Sequence, residues 1–99
     1  MSDHLDIDRE AVAELCRRNH IRRLSLFGSV LRDDFGPESD VDVLVEFEPG
    51  HRIGLIKMAG IEIEFSRLFG RKVDLRTPQD LSRYFRDDVV SSAEVQYAA

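Results

Sequence analysis

Two aspartates separated by one residue, Asp40 and Asp42, interleave with valines in the stretch DVDVLVEFE. Alternation at period two reads as a half-buried strand, with Val41, Val43, Val45 and Phe47 on one face and Asp40, Asp42, Leu44 and Glu46 on the other. Carboxylates two apart on a strand share a face, with roughly 6.5–7 Å between their Cα atoms. From that spacing both can reach one or two hard cations, and an oxygen-only donor set favours Mg2+ or Mn2+. A third acid, Asp74, lies between apolar residues in KVDLRT, which reads as a short strand. If that strand neighbours the first, Asp74 completes a cluster suited to in-line displacement at phosphorus.

Upstream of the acids, Gly28 ends a predicted strand and Ser29 opens a helical turn that runs to Asp33. Free backbone N–H groups and a hydroxyl at such a turn suit a phosphate. Arg32, about one turn on, can add a cation toward the same phosphates or pair with Asp33 or Glu38. Between Asp33 and Glu48 the chain carries seven carboxylates and no Lys or Arg. A plain reading of this stretch is a solvated strand edge whose charge serves solubility. Phosphate donors and metal acceptors in one strand–turn–strand unit favour a nucleoside triphosphate site instead.

The elements that must position these residues follow from local signals. DIDREAVAELCRRNH reads as a helix capped by Asp8, with an Ile7–Val12 staple and Arg17, Arg18 and His20 toward its C-terminus. IRRLSLF reads as a strand. Ile53 to Phe69 reads as a long helix with Leu55, Met58, Ile61, Phe65 and Leu68 inward, closed by Gly70. Its sub-stretch IEIEF also alternates like a strand. Ile53, Ile56 and Ile63 fall off that inward stripe and suggest an exposed apolar patch. Thr77 and Pro78 open a further helix through QDLSRYF toward Ser91, and AEVQYAA suits an edge strand or a frayed end. One domain over residues 1–99 follows, of mixed α/β class: a small sheet flanked by helices.

Other chemistries fail on spacing. An EF-hand beginning at Asp40 has Leu44 at its fifth position and no glycine at its sixth. Walker A and G-x-G-x-x-G patterns are absent, and His4, His20 and His51 lack the sequence spacing of a zinc motif. The chain has 99 residues, 42% hydrophobic and 33% charged, and a net charge of −5, which argues against direct, sequence-independent nucleic-acid binding. A lone cysteine, Cys16, precludes an intrachain disulfide. With no apolar run of membrane-spanning length and an acidic start, a cytoplasmic protein is expected.

Gly28-Ser29, ten residues, then Asp40-x-Asp42 resembles the G-S-x10-D-x-D signature of the polymerase-β nucleotidyltransferase superfamily. FGSVLRDDFGPESDVDVLVEF and LFGRKVDLRTP resemble its minimal nucleotidyltransferases, the MNT-domain antitoxins that pair with HEPN-domain toxins. The likeness runs from about Arg22 to the C-terminus, with Leu31 standing for a common alanine and Asp33 for a common glycine. It implies a polymerase-β-like mixed sheet, with Asp40, Asp42 and Asp74 as metal ligands and catalytic acids. Gly28 and Ser29 would then hold the triphosphate, with Arg32 beside them. It further implies Mg2+-dependent transfer of AMP from ATP to a tyrosine hydroxyl of the partner toxin. A non-catalytic antitoxin that neutralises by occlusion is the competing reading, and transfer to a small molecule or an RNA end is a third.

Overall fold

In a computed structural model, the structure describes residues 7–31, 36, 39–51, 53–84 and 86–99, with the backbone alone at 29 and 30. Helix α1, Arg9–Arg18, begins at Asp8, whose side chain accepts from the Ala11 N–H at 3.1 Å. Strand β1, Ile21–Phe27, leads into a 3-10 turn at Gly28–Leu31, and strand β2 spans Val41–Phe47. Helix α2, Leu55–Phe69, ends on Gly70 at φ 68°, the left-handed cap that glycine takes without a Cβ clash. Strand β3, Val73–Arg76, is followed by a 3-10 turn at Pro78–Asp80, helix α3, Arg86–Ser92, and strand β4, Glu94–Ala98.

The four strands form one sheet in the order β3-β2-β1-β4. β1 pairs antiparallel with β2 and with β4, whereas β2 and β3 run parallel. Residues of α1 (Val12, Leu15, Cys16) and α2 (Ile61, Phe65, Phe69) share a core with Leu24, Leu26, Val41, Val43, Val45 and Val73. Alternation along β2 therefore sends its valines to the helices and Asp42 to the opposite face. Burial pushes the Cys16 thiol up to about 12 and leaves it an inert core side chain.

The edge strand β3 is tied from outside by α2. Glu62 and Ser66, one helical turn apart, both face it. The Val73 N–H donates to Ser66 Oγ and the Leu75 N–H to Glu62 Oε2, each at 2.9 Å. These bonds occupy ladder positions that an edge strand otherwise leaves open, and they fix the register of Asp74 between them.

Several expectations are corrected. Leu55 is 89% exposed, not inward. At 100° per residue it lies about 120° around the helix from Ile61, off the stripe made by Ile61, Phe65 and Phe69. Ile53 packs against the core, whereas Ile56 and Ile63 are exposed as expected. The helix expected from Pro78 to Ser91 is broken: Leu81 takes an extended conformation at ψ 147°, and helical structure resumes at Arg86. The C-terminal stretch is an edge strand beside β1.

Candidate nucleotide and metal site

Asp42 and Asp74 are direct register partners across the parallel β2–β3 ladder. Parallel neighbours in register place their side chains on the same face, so the two carboxylates stand side by side away from the helices. Sequence reasoning left this adjacency conditional on strand order, and the sheet meets the condition. Asp40 differs from expectation: β2 begins at Val41, so Asp40 stands one residue before the strand. The Val41 N–H donates to the Lys72 carbonyl at 2.9 Å, which holds that approach against the start of β3.

Gly28 sits beside this pair because Phe27, the residue before it, is the register partner of Asp42. Its φ is +75°, and a Cβ built there would fall onto the Asp42 carboxylate, 3.1 Å from Cγ. Conformation and space thus both demand glycine, and the backbone turns over against the acid. The backbone of Ser29 lies in the same 3-10 turn. Arg32, Asp33, Asp34 and Glu38 lie outside the described residues.

Each outer acid has a basic neighbour that sequence reasoning did not assign. Arg76 clasps Asp74 through both carboxylate oxygens, at 3.2 Å from Nε and 3.1 Å from Nη2. The guanidinium pKa is raised above its ordinary value, first by that hydrogen bond, then by the charge of Asp74, with Asp80 and Asp42 adding to it. Lys72 Nζ lies 4.0 Å from Asp40 Oδ2. The i, i+2 spacing of Asp74 and Arg76 on a strand was the signal that could have revealed the clasp.

Among the described residues, one group of three His, Cys, Asp or Glu side chains has its ligand atoms within 4.8 Å of one another: His20, Glu48 and His51. The acid triad is more open than that. Its donors are hard oxygens on adjacent strands beside a glycine turn, a set that suits a divalent cation shared with phosphate oxygens. A cation there would compete with Arg76 for the Asp74 oxygens. Both side chains are partly exposed, and such pairs contribute only about 0–1 kcal/mol.

A mixed sheet with its main helices on one face, bearing paired acids beside a glycine turn, is the architecture of a nucleotidyltransferase. Residues 8–96 match the nucleotidyltransferase domain family, and the chain belongs to it. A relative from Methanocaldococcus jannaschii, named as a protein adenylyltransferase, is 28% identical over 88 residues, covering 89% of this chain and 91% of that one. The protein adenylyltransferase MntA of Thermococcus cleftensis is 39% identical over 62 residues, 63% of this chain and 61% of its own. A solved structure described as a minimal nucleotidyltransferase superposes with a TM-score of 0.71 at 36% identity, covering 86% of this chain and 85% of that chain. A toxin–antitoxin crystal structure with AMP-PNP superposes at a TM-score of 0.75 and 19% identity, covering 94% of this chain and 75% of that one, a likeness of fold. Among the described residues no helix is long and apolar enough to cross a membrane.

Proposed function

We propose that the chain is a minimal, cytoplasmic nucleotidyltransferase domain that moves AMP from ATP onto a tyrosine hydroxyl of a HEPN-domain toxin and silences it. The observation that carries this reading is the in-register pair Asp42–Asp74 beside the Gly28 turn. It is supported by the names of the adenylyltransferase relatives and by the fold shared with toxin–antitoxin complexes.

Asp40, Asp42 and Asp74 are the residues that would hold Mg2+, two ions in the full arrangement, with Mn2+ as a substitute. Bound there, the metal neutralises charge on the phosphates and lowers the pKa of the acceptor hydroxyl. Gly28 and Ser29 receive the triphosphate, and Arg32 adds a cation to it. The acceptor oxygen bonds to the α-phosphorus as the bond to the bridging oxygen breaks, and pyrophosphate leaves. Asp74, released by Arg76, is the carboxylate placed to take the acceptor proton. Arg76 then stands free beside the departing charge.

The test mixes the purified chain, labelled ATP, Mg2+ and the folded product of the adjacent gene. Label on a partner tyrosine, abolished by Asp40→Ala/Asp42→Ala, is expected. An unlabelled partner that is nonetheless neutralised would overturn the reading in favour of occlusion. That second reading has one specific observation behind it: Leu55 and Ile56, 89% and 92% exposed at the start of α2, offer apolar surface for binding. Neutralisation that survives Asp40→Ala/Asp42→Ala at unchanged protein level would decide for it.

A further inference from the structure

We propose that His20, Glu48 and His51 form a second cation site, selective for a borderline transition metal such as Zn2+ and separate from the acid pair. His20 follows α1, whereas Glu48 and His51 follow β2, so the three meet at the end of the β1–β2 ladder opposite Gly28 and Asp42. Glu48 lies six residue steps along the chain from Asp42, about 20 Å at 3.3 Å per step. The sequence hides this site because its ligands come from two sides of a hairpin, not from one spaced motif.

The backbone holds the three residues together. The Glu48 N–H donates to the His20 carbonyl at 2.8 Å, and the His51 N–H donates to the Glu48 carbonyl at 3.2 Å. His20 itself has φ +57°, a left-handed conformation that favours glycine or asparagine and costs most other residues about 1–2 kcal/mol. That conformation directly follows the C-cap Asn19 and turns the chain from α1 into β1.

The side chains lie close to ligating geometry. Their ligand atoms all fall within 4.8 Å of one another. Tetrahedral Zn2+ with bonds of about 2.0–2.1 Å spaces its ligands about 3.3–3.4 Å apart, so the group must close by roughly 1.5 Å. The imidazoles stack at 3.9 Å between centroids and 11° between planes. Ring-nitrogen lone pairs lie in the ring plane, so two stacked rings cannot aim at one ion, and one must swing out. All three side chains are exposed, which leaves that rotation unobstructed by packing. Beside them lies a cavity of about 350 Å³ whose lining includes Glu48 and His51, and also Arg22, which is paired with Glu46. Two imidazoles and one carboxylate select Zn2+, Co2+ or Ni2+ over Mg2+, the reverse of an all-carboxylate site.

The experiment is a Co2+ titration of the tag-free full chain, followed by visible absorption, with Zn2+ competition by calorimetry. One equivalent of Co2+ should bind, be displaced by Zn2+, and be indifferent to millimolar Mg2+. His51→Ala should weaken binding by about a hundredfold or more. His20→Asn should do the same while keeping a residue that accepts the left-handed backbone. Asp40→Asn/Asp42→Asn should leave it intact. Absent binding, or binding lost in the aspartate variant and kept in both histidine variants, would overturn the proposal. The readout involves no nucleotide, so it stands or fails independently of the adenylyl-transfer reading.

Discussion

The two ends of β2 both carry acids, and their surroundings differ. At the C-terminal end Glu46 receives Arg22 at 3.1 Å and Arg23 at 3.5 Å, and Glu48 lies 4.0 Å from His20. Those partners sit on β1 and just before it, so the register of the hairpin itself supplies the counter-charge. At the N-terminal end Asp42 has a second acid, Asp74, as its neighbour in the ladder and a glycine turn against its carboxylate. Paired like charges on adjacent strands work against stability unless something else uses them. At one end the acids meet bases from β1 and the residue before it, and at the other two acids stand in register beside a glycine turn, with Arg76 and Lys72 at their outer side.

Asp42→Asn breaks the comparison most severely. If Asp42 holds a metal as proposed, its loss should cost several kcal/mol of transition-state stabilisation, on the order of 10³-fold in rate. The same change removes repulsion from Asp74 together with an attraction to Arg76, so the melting temperature should move far less than for a core substitution. Labelled-ATP transfer and thermal unfolding on one preparation check both halves. A fall in stability equal to that of a core substitution would mean that Asp42 is structural.

Gly28→Ala should come next, because it strikes the site through geometry. The added methyl meets the Asp42 carboxylate, and φ +75° is strained for alanine. A stability loss of about 1–3 kcal/mol is expected, with transfer reduced about a hundredfold by displacement of the acid. Denaturant midpoints give the first and initial rates the second. An alanine variant of full stability and activity would refute the close packing of turn and acid.

Glu62→Ala tests whether the site depends on the outer edge of β3. It strips the partner from the Leu75 N–H and should cost about 1–2 kcal/mol. With β3 loosened beside Asp74, transfer should slow by about tenfold. Glu62→Gln, which keeps an acceptor, should recover most of both. A rate loss without a stability loss would instead put Glu62 in direct contact with a ligand.

Local signals in the sequence carried α1 with its Asp8 cap, β1, β2 and the Gly70 stop, since each is written within one element. The alternation of β2 also announced Asp42, and the spacing to Gly28 announced the turn. Strand order was not legible. The Asp74–Arg76 clasp is local to β3, but it comes beside Asp42, and Lys72 beside Asp40, only because β3 lies parallel to β2, a non-local pairing that no residue near Asp40 encodes. Glu62 was obscured by IEIEF, whose alternation suits a strand although its ends, Ile61 and Phe65, mark the buried helical face. Leu81 ended the predicted third helix early because a tight capping turn, in which Asp80 accepts from the Thr77 N–H at 3.1 Å, does not have to propagate. His20, Glu48 and His51 meet across a hairpin, a non-local pairing of the same kind as that of β3 with β2.

The smallest effect belongs to the C-terminal end of β2. Arg22→Gln and Glu46→Gln each remove one partner of an ion pair in which the arginine is half exposed, and such pairs are worth about 0–1 kcal/mol. Stability should fall by no more than that, transfer should be unchanged, and the double variant should lose less than the sum because both changes remove the same Arg22–Glu46 pair. A double-mutant cycle in urea measures the coupling. If Arg22→Gln instead slowed transfer tenfold with stability intact, the two ends of β2 would be functionally joined. The contrast between the two ends would then give way to a single surface that binds its partner along the whole strand.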